Sequence, residues 1–308
     1  MFKISGFYDE ASTDLDKQLE LIKKLGGKYL CPRNINGKNI SAYSAEEFES
    51  GILPSLKAAD VGLSSIGSPI GKIRIDDEEA YAAQLKQLEE LVKIAVLTDC
   101  KYIRCFSFFV GKNADYAALS GKVFEKFYGF VKAVEGTDIT ILHENEKKIF
   151  GDTPERALSL FHAVNHPQMK LCYDASNYIQ CKADAWRAYE MTREYTAYYH
   201  MKDCENGVEV PLGTGQGRIR EIVADLVKRE YDGFLTLEPH TFKYAFLKVP
   251  FYLIPFLNLT RTARLYRRID KEIGVKAFER PTREELFAIQ YQNAVKIIDE
   301  AGGKIDSL

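Results

Sequence analysis

In the segment ITILHENE (residues 139–146), a short apolar run ends abruptly in polar and acidic side chains. A continuous apolar run of this kind is typical of a strand buried on both faces of a parallel sheet. Seven similar runs occur along the chain, and helical patterns lie between them. The eight predicted strands are Lys3–Phe7, Lys28–Pro32, Gly62–Ile66, Tyr102–Phe106, Ile139–His143, Lys170–Tyr173, Ala197–His200 and Gly233–Leu237.

Helix-start signals occur between these runs. SAEE (residues 44–47) and TREE (residues 282–285) have the capping-box spacing, and Pro154 after Thr153 suits a first helical position. Eight strand-then-helix units in 308 residues predict an α/β fold, a (β/α)8 TIM barrel, with residues 1–308 in one domain. A doubly wound open sheet is the alternative, but the first strand does not lead into a glycine-rich phosphate loop.

One long excursion after the eighth predicted strand, residues 242–281, does not fit the repeat. Its aromatic content argues against disorder, and loops beyond about 15 residues are often functional. Pro250 and Pro255 disfavour one long helix, whereas residues 260–274 predict a basic amphipathic helix. We expect a lid over the active site that also packs on a partner subunit, which predicts a homo-oligomer. A membrane surface is less favoured, because the basic residues follow the aromatic run instead of surrounding it.

Composition excludes several classes of protein. Forty-two Lys and Arg against 44 Asp and Glu give a net charge of -2, which argues against a nucleic-acid binder. The most apolar stretch, residues 245–259, contains Lys248 and two prolines and is too short to span a bilayer. Six scattered cysteines and no signal-type apolar region near the first residue predict a cytoplasmic protein with reduced thiols.

Four consecutive predicted strands end in residues that can bind a metal, namely Glu144, Asp174, His200 and Glu238. The carboxyl ends of the strands of a (β/α)8 barrel share one mouth, where catalytic residues gather. Three carboxylates and an imidazole in one place would repel each other without a cation. An oxygen-rich set with one nitrogen favours Mn²⁺ or Mg²⁺, with Zn²⁺ or Co²⁺ as alternatives.

Other polar residues are expected at the same mouth as substrate-binding groups. Arg104 could instead orient Glu144, and Lys202 could form a surface ion pair with Asp203. His240 could cap a loop, and the glycine-rich PLGTGQGRI (residues 211–219) could form a phosphate cradle or only a tight turn. The predicted substrate-binding residues are Arg33, Ser68, Arg104, Asn177, Lys202 and His240.

The chain resembles the xylose isomerase-like TIM-barrel superfamily and, within it, the sugar phosphate isomerase/epimerase family. The resemblance runs from the first to the eighth predicted strand and leaves out residues 242–281. The segments that carry it are ISGFYDEAS (4–12), SSIGSPIGKI (64–73), HENEKKIFGDT (143–153), YDASN (173–177), HMKD (200–203) and LEPH (237–240).

The resemblance implies one divalent metal ion held by Glu144, Asp174, His200 and Glu238, with the two glutamates as catalytic acid and base. It predicts a metal-dependent isomerase or epimerase that acts on a sugar, keto-sugar or polyol through an enediolate. Asn177 departs from the family, since many epimerases carry His at that position.

Three alternative functions stay open at this point. One is a metal-dependent dehydratase of a keto-inositol-type substrate, and another is a non-catalytic sugar-binding barrel. An apurinic endonuclease is disfavoured. The resemblance associates that activity with a three-zinc site built from many histidines, and this chain has five His in total. The expected partner is therefore a small carbohydrate, with no nucleic acid and no membrane.

Overall fold

A computed structural model describes residues 1–306 of the chain. Its strands are β1 Lys3–Gly6, β2 Tyr29–Leu30, β3 Asn34–Ile35, β4 Lys38–Asn39, β5 Gly62–Leu63, β6 Tyr102–Cys105, β7 Thr140–Glu144, β8 Met169–Asp174, β9 Thr196–Met201, β10 Asp203–Glu205, β11 Val208–Val210 and β12 Phe234–Leu237. Its α-helices are α1 Leu15–Lys24, α2 Ala45–Gly51, α3 Leu53–Ala59, α4 Glu78–Leu97, α5 Tyr116–Lys132, α6 Pro154–Val164, α7 Ala175–Gln180, α8 Ala185–Thr192, α9 Ile219–Lys228, α10 Phe242–Leu253, α11 Pro255–Asn258, α12 Arg261–Ile273 and α13 Arg283–Glu300.

Six strands form a curled parallel sheet in the order β1-β12-β9-β8-β7-β6. The short parallel pair β2-β5 closes the ring between β1 and β6. Cys31 N donates to Gly6 O over 3.0 Å on one side, and Ile66 N donates to Tyr102 O over 2.9 Å on the other. Helices lie between successive barrel strands, so the predicted α/β TIM barrel is confirmed.

The second and third predicted strands are shorter than expected. Lys28–Pro32 contributes only β2, because Pro32 has no N–H to continue a ladder. Gly62–Ile66 contributes only β5, and Ile66 joins β6 through an isolated bridge to Ile103. Both regions still lie in the barrel wall at the predicted places.

The predicted helix starts agree with the structure. Ser44 with Glu47 and Thr282 with Glu285 each form a complete capping box, in which side chain and backbone bond reciprocally. The Thr153 side chain accepts a hydrogen bond from the Arg156 backbone N–H, and Pro154 is the first residue of the helix. These local signals determine where α2, α6 and α13 begin.

The excursion after the eighth barrel strand is three helices, α10, α11 and α12. The chain breaks at Pro255, because the preceding Ile254 has an extended backbone with φ -88° and ψ 116°. Pro250, by contrast, lies within α10, where the helix ends three residues later. The predicted basic helix is α12, capped by Thr260 and ended by Gly274 at φ +72°.

The excursion has a small core separate from the main core of the barrel. This core joins α10 and α12 to the β10-β11 hairpin and to α13; its buried members are Val210, Tyr244, Ala245, Tyr252, Leu265, Tyr266, Ile269 and Leu286. The Asp270 carboxylate, buried beneath it, accepts from Lys248 Nζ over 2.7 Å and Tyr252 Oη over 2.6 Å. The excursion is therefore held by its own packing. Its predicted lid role and its predicted packing on a partner subunit stay predictions.

Among residues 1–306, no helix combines the length and the apolar character needed to cross a membrane.

Candidate metal and active site

Strand register brings the four predicted ligands together. Glu144 ends β7, Asp174 ends β8 and pairs in register with His200 of β9, and Glu238 directly follows β12. Because these parallel strands are neighbours, their carboxyl ends lie side by side at the mouth of the barrel. One potential ligand atom from each of the four lies within 4.8 Å of the others, and all four residues are buried.

His200 lies between the carboxylates. Its Nδ1 atom is 3.0 Å from Glu144 Oε1, 3.3 Å from Glu238 Oε2 and 3.9 Å from Asp174 Oδ2. Burial acts to lower the pKa of this imidazole, but the neighbouring Cys172 and Glu144 outweigh burial and raise it well above its ordinary value. The three distances show that Nδ1 is the ring nitrogen that faces the acidic cluster.

The donor set fits a divalent cation. Asp174 Oδ2 is buried at the cluster and forms an ion pair with Lys202 Nζ over 2.8 Å. Burial raises the pKa of Asp174 to about 6, because the attraction of Lys202 does not fully offset desolvation and the neighbouring carboxylates. Three carboxylates and one imidazole that converge in one place are ligands that Mg²⁺, Mn²⁺ and Zn²⁺ accept. These four residues could therefore hold one metal ion.

Three buried or half-buried cations surround the cluster. Lys202 Nζ lies 3.1 Å from Glu238 Oε2, Arg33 Nη1 lies 3.2 Å from Glu238 Oε1, and Arg104 Nη1 lies 3.0 Å from Glu144 Oε2. Burial acts to raise the pKa of each glutamate, but His200 and these cations outweigh it. The pKa of Glu144 falls to about 2 and that of Glu238 falls well below its ordinary value, so both are ionised at neutral pH.

Arg104 and Ser68 interact mainly with neighbouring protein groups. Arg104 is buried and binds the Gly67 carbonyl as well as Glu144, which agrees with the alternative that it orients Glu144. The Ser68 hydroxyl donates to the Arg104 carbonyl over 2.5 Å and accepts from Ile70 N. Ser68 thus supports the loop beneath Arg104, and its hydroxyl already has two partners.

Asn177 is positioned by the helix that follows Asp174. Asp174 Oδ1 caps α7 by accepting from Asn177 N over 2.8 Å, which leaves Oδ2 facing the cluster. The Asn177 amide then donates to Glu144 Oε1 over 3.2 Å and to Asn145 O over 2.9 Å. Asn177 therefore contacts a candidate ligand directly, at the position where the sequence departs from the family.

His240 lies at the rim of the site and makes contacts that the sequence analysis did not include. Its backbone, at φ +51°, directs N–H to Glu10 Oε2 over 2.7 Å, and Nδ1 lies 2.9 Å from Glu10 Oε1. Its Nε2 lies 3.5 Å from Glu238 Oε1. Asp9, beside Glu10, accepts from Arg33 Nε over 2.9 Å and so orients the Arg33 guanidinium.

Asp9 and Glu10 thus line the candidate site, although the sequence analysis did not include them. They follow the first predicted strand, at the same edge of the sheet as Glu144 and Glu238. Reading the end of the first strand in the same way as the last four would have found them.

The glycine-rich loop PLGTGQGRI encloses an aspartate instead of a phosphate. Asp203 accepts from the backbone N–H groups of Cys204, Gly213, Gly215 and Gly217 over 2.8–3.0 Å. A Cβ at Gly215 would lie 2.4 Å from Asp203 Oδ1, so the loop needs glycine there. Asp203 is therefore not the ion-pair partner of Lys202, and the phosphate-cradle alternative is wrong: the anion in this nest is the protein's own carboxylate.

Comparisons with solved structures find the same fold at low sequence identity, which shows the fold alone. A xylose isomerase-like TIM barrel protein from Mycobacterium smegmatis in complex with magnesium is 16% identical, with a TM-score of 0.66, over 93% of this chain and 88% of that one. The IOLI protein with a bound zinc atom is 13% identical, with a TM-score of 0.70, over 97% of this chain and 99% of that one. A D-allulose 3-epimerase from Methylomonas sp. is 12% identical, with a TM-score of 0.67, over 96% of this chain and 98% of that one.

No curated protein matches this chain in sequence. The sequence profile described as xylose isomerase-like TIM barrel matches residues 19–250, which is most of the barrel. The fold, the order of the strands and this match agree with the resemblance carried by the strand-end motifs. The chain belongs to the xylose isomerase-like TIM barrel family.

Proposed function

We propose that this protein is a metal-dependent isomerase or epimerase that acts on a sugar, keto-sugar or polyol by proton abstraction through an enediolate. The observation that carries the proposal is the placement of Glu144 and Glu238. Both are buried and held ionised, and they approach His200 Nδ1 from two different strands, at 3.0 and 3.3 Å. The similarity in fold to a D-allulose 3-epimerase supports it.

The two glutamates would divide the proton transfer. A proton next to a carbonyl is weakly acidic, so its removal needs a carboxylate at the correct face of the substrate. One glutamate would remove the proton and the other would return one on the opposite face, which inverts the carbon. Return to the adjacent carbon instead would interconvert an aldose and a ketose.

Glu144, Asp174, His200 and Glu238 would hold the metal ion, for which Mn²⁺ or Mg²⁺ is favoured and Zn²⁺ or Co²⁺ is an alternative. When bound, the ion would supply Lewis acidity that stabilises negative charge on the substrate. The side chains proposed to bind the substrate around it are Arg33, Ser68, Arg104, Asn177, Lys202 and His240. Of these, Arg33 and His240 are partly exposed at the rim and can meet a polar ligand from solvent.

We also propose that residues 1–308 form one domain in which residues 242–281 restrict access to the mouth. In support, α10 begins at Phe242, two residues after His240, so the excursion starts at the rim of the site. The partner would be a small carbohydrate, without a role for nucleic acid.

The proposal is tested by proton exchange. The metal-loaded protein would be incubated in deuterated water with a panel of ketoses, aldoses and inososes, and the sugars analysed by NMR and mass spectrometry. We expect deuterium at one carbon of one sugar class, with the carbon skeleton unchanged. Glu144→Gln and Glu238→Gln should each slow exchange by about 10²-fold or more, because each removes a proton-transfer group.

Glu146→Gln is the matched control, since Glu146 follows the same strand as Glu144 but pairs with Lys72 at 3.1 Å. It should exchange at the rate of the unaltered chain. Loss of water from an inosose would indicate the dehydratase instead. No exchange and no dehydration across the panel would contradict the proposal.

A further inference from the structure

An uncharged, apolar tip projects from the excursion. Residues 249–260 contain no Asp, Glu, Lys or Arg, and they form the turn from α10 through α11 to α12. Leu253, Phe256 and Leu259 are 64%, 74% and 79% exposed, and Ile254 is also exposed. We call these four residues the apolar tip. A group of large exposed apolar side chains marks a surface that binds a membrane, another protein or a ligand.

Basic side chains flank this tip in space, although they follow it in sequence. Helix α12 turns back beside α10, and the Phe251 ring packs against Tyr266 at 5.3 Å. Arg264 Nη2 donates to Leu259 O over 3.4 Å, and Arg267 Nη2 donates to Asn258 O over 3.2 Å. Both arginines are exposed. The basic residues that follow the aromatic run in sequence therefore lie beside its end in space.

The excursion differs in charge from the rest of the chain. Residues 242–281 contain nine Lys and Arg and three Asp and Glu, a net charge of +6. The whole chain carries -2, so the remainder carries -8. Of the three acidic residues, Asp270 is buried and neutralised by Lys248 at 2.7 Å. The exposed face of the excursion is thus strongly basic.

The tip is fixed in its exposed position by the core beneath it. Asp270 binds Lys248, Tyr244 and Tyr252, which ties α10 to α12 at the base of the tip. The Lys248 ammonium, itself fully buried, also donates to Lys276 O over 3.0 Å. Leu253 is the last residue of this anchored helix, and Phe256 follows it across the break at Pro255. The buried bonds at the base of the tip therefore oppose an inward turn of α10.

We propose that the apolar tip docks on a membrane surface that contains anionic lipid. Apolar side chains that enter the acyl boundary beside arginines that meet lipid phosphates are the two components of interfacial binding. Symmetric pairing with a second copy through the same face is a poorer fit, because it would bring two segments of charge +6 together. This proposal is an alternative to the expected absence of a membrane and to the expected packing on a partner subunit, and it does not depend on the chemistry of the barrel mouth.

The test is co-sedimentation of the full chain with lipid vesicles. Vesicles of phosphatidylcholine with about 30% phosphatidylserine should bind the protein. Vesicles of pure phosphatidylcholine should bind it more weakly, by a factor of about ten or more. The double variant Phe256→Ser/Leu259→Ser should lose binding by about tenfold or more, since it removes the inserted apolar area. Arg264→Gln/Arg267→Gln should also weaken binding, and a rise from about 50 to about 500 mM salt should weaken the unaltered chain.

Val96→Ser is the matched control, because Val96 is 60% exposed on α4 outside the excursion. It should bind vesicles as the unaltered chain does. All variants change exposed side chains, and circular dichroism with thermal melting checks that they fold. Failure of the unaltered chain to bind anionic vesicles would overturn the proposal, as would full binding by Phe256→Ser/Leu259→Ser. A dimer in analytical ultracentrifugation that this double variant converts to a monomer, without vesicle binding, would assign the tip to a second copy instead.

Discussion

Asp174 uses its two carboxylate oxygens in different ways. Oδ1 caps α7 through Asn177 N, while Oδ2 faces the other candidate ligands and pairs with Lys202 Nζ at 2.8 Å. The cap fixes the carboxylate in one orientation, because the backbone N–H is part of a helix that cannot shift independently. A residue that ends a strand and starts a helix thereby presents one oxygen to the barrel mouth.

This division of roles leads to a prediction for two substitutions at Asp174. Asp174→Asn can keep the cap through its amide oxygen but loses the charge, so we expect near-normal stability and loss of bound metal. Asp174→Ala loses both, and its unfolding free energy should fall by a further ~1 kcal/mol. Metal content by mass spectrometry and urea unfolding would measure the two effects. Full metal content in Asp174→Asn would exclude Asp174 as a ligand.

In the loop after β11, a buried carboxylate fixes the conformation of the backbone by accepting hydrogen bonds from several N–H groups. Asp203 begins the β10-β11 hairpin, and its carboxylate accepts from the N–H groups of three loop glycines and of Cys204 in β10. The glycines allow the backbone to come this close, and Asp203 itself lies just after the end of β9, which carries His200. The hairpin in turn packs on the excursion through Val210. One carboxylate therefore connects the barrel mouth, the hairpin and the excursion.

Removal of that carboxylate should be costly. Asp203→Ala leaves several buried N–H groups without an acceptor, so we expect the unfolding free energy to fall by about 3 kcal/mol. Gly215→Ala should also destabilise, because its new Cβ would lie 2.4 Å from Asp203 Oδ1. Thr214→Ala, which loses only a bond to Pro211 O within the same loop, is the control and should cost less. Equal losses for Asp203→Ala and Thr214→Ala in urea unfolding would refute this role.

At the scale of the whole molecule, burial determines how stability depends on pH in the alkaline range. Burial raises the pKa of the Cys100 thiol to about 12 and that of the Tyr81 hydroxyl to about 12. The folded chain thus keeps protons that the unfolded chain releases near pH 8.5 for Cys and pH 10 for Tyr. A raised pKa contributes stability that is complete below the unfolded value and is lost as pH rises towards the folded value.

We therefore expect the unfolding free energy to fall steadily between about pH 9 and pH 12. Urea titrations at intervals across this range would measure the slope. Cys100→Ala should make the slope shallower at its lower end, because it removes one of the groups that bind the additional proton. A free energy that is constant up to pH 11 would contradict the prediction.

Much of the fold follows from local patterns in the sequence. Apolar runs and capping signals act over a few residues, so the strand order, the ends of the last four barrel strands and the starts of α2, α6 and α13 can be predicted without tertiary information. The four candidate ligands follow from the same reasoning, because parallel strands place their carboxyl ends at one edge. The shortness of β2 and β5 does not follow, since it depends on how the ring closes between β1 and β6.

Only the tertiary structure decides which charges meet. Arg33 pairs with Glu238, which is distant from it in sequence. Lys202 pairs with Asp174 and not with Asp203, because the Asp203 carboxylate accepts from the backbone of the glycine-rich loop. The spacing of apolar residues and the helix caps are determined by residues that are close in sequence. The partner of a charged side chain depends instead on how the barrel closes, on the course of the loops and on the few orientations that burial allows.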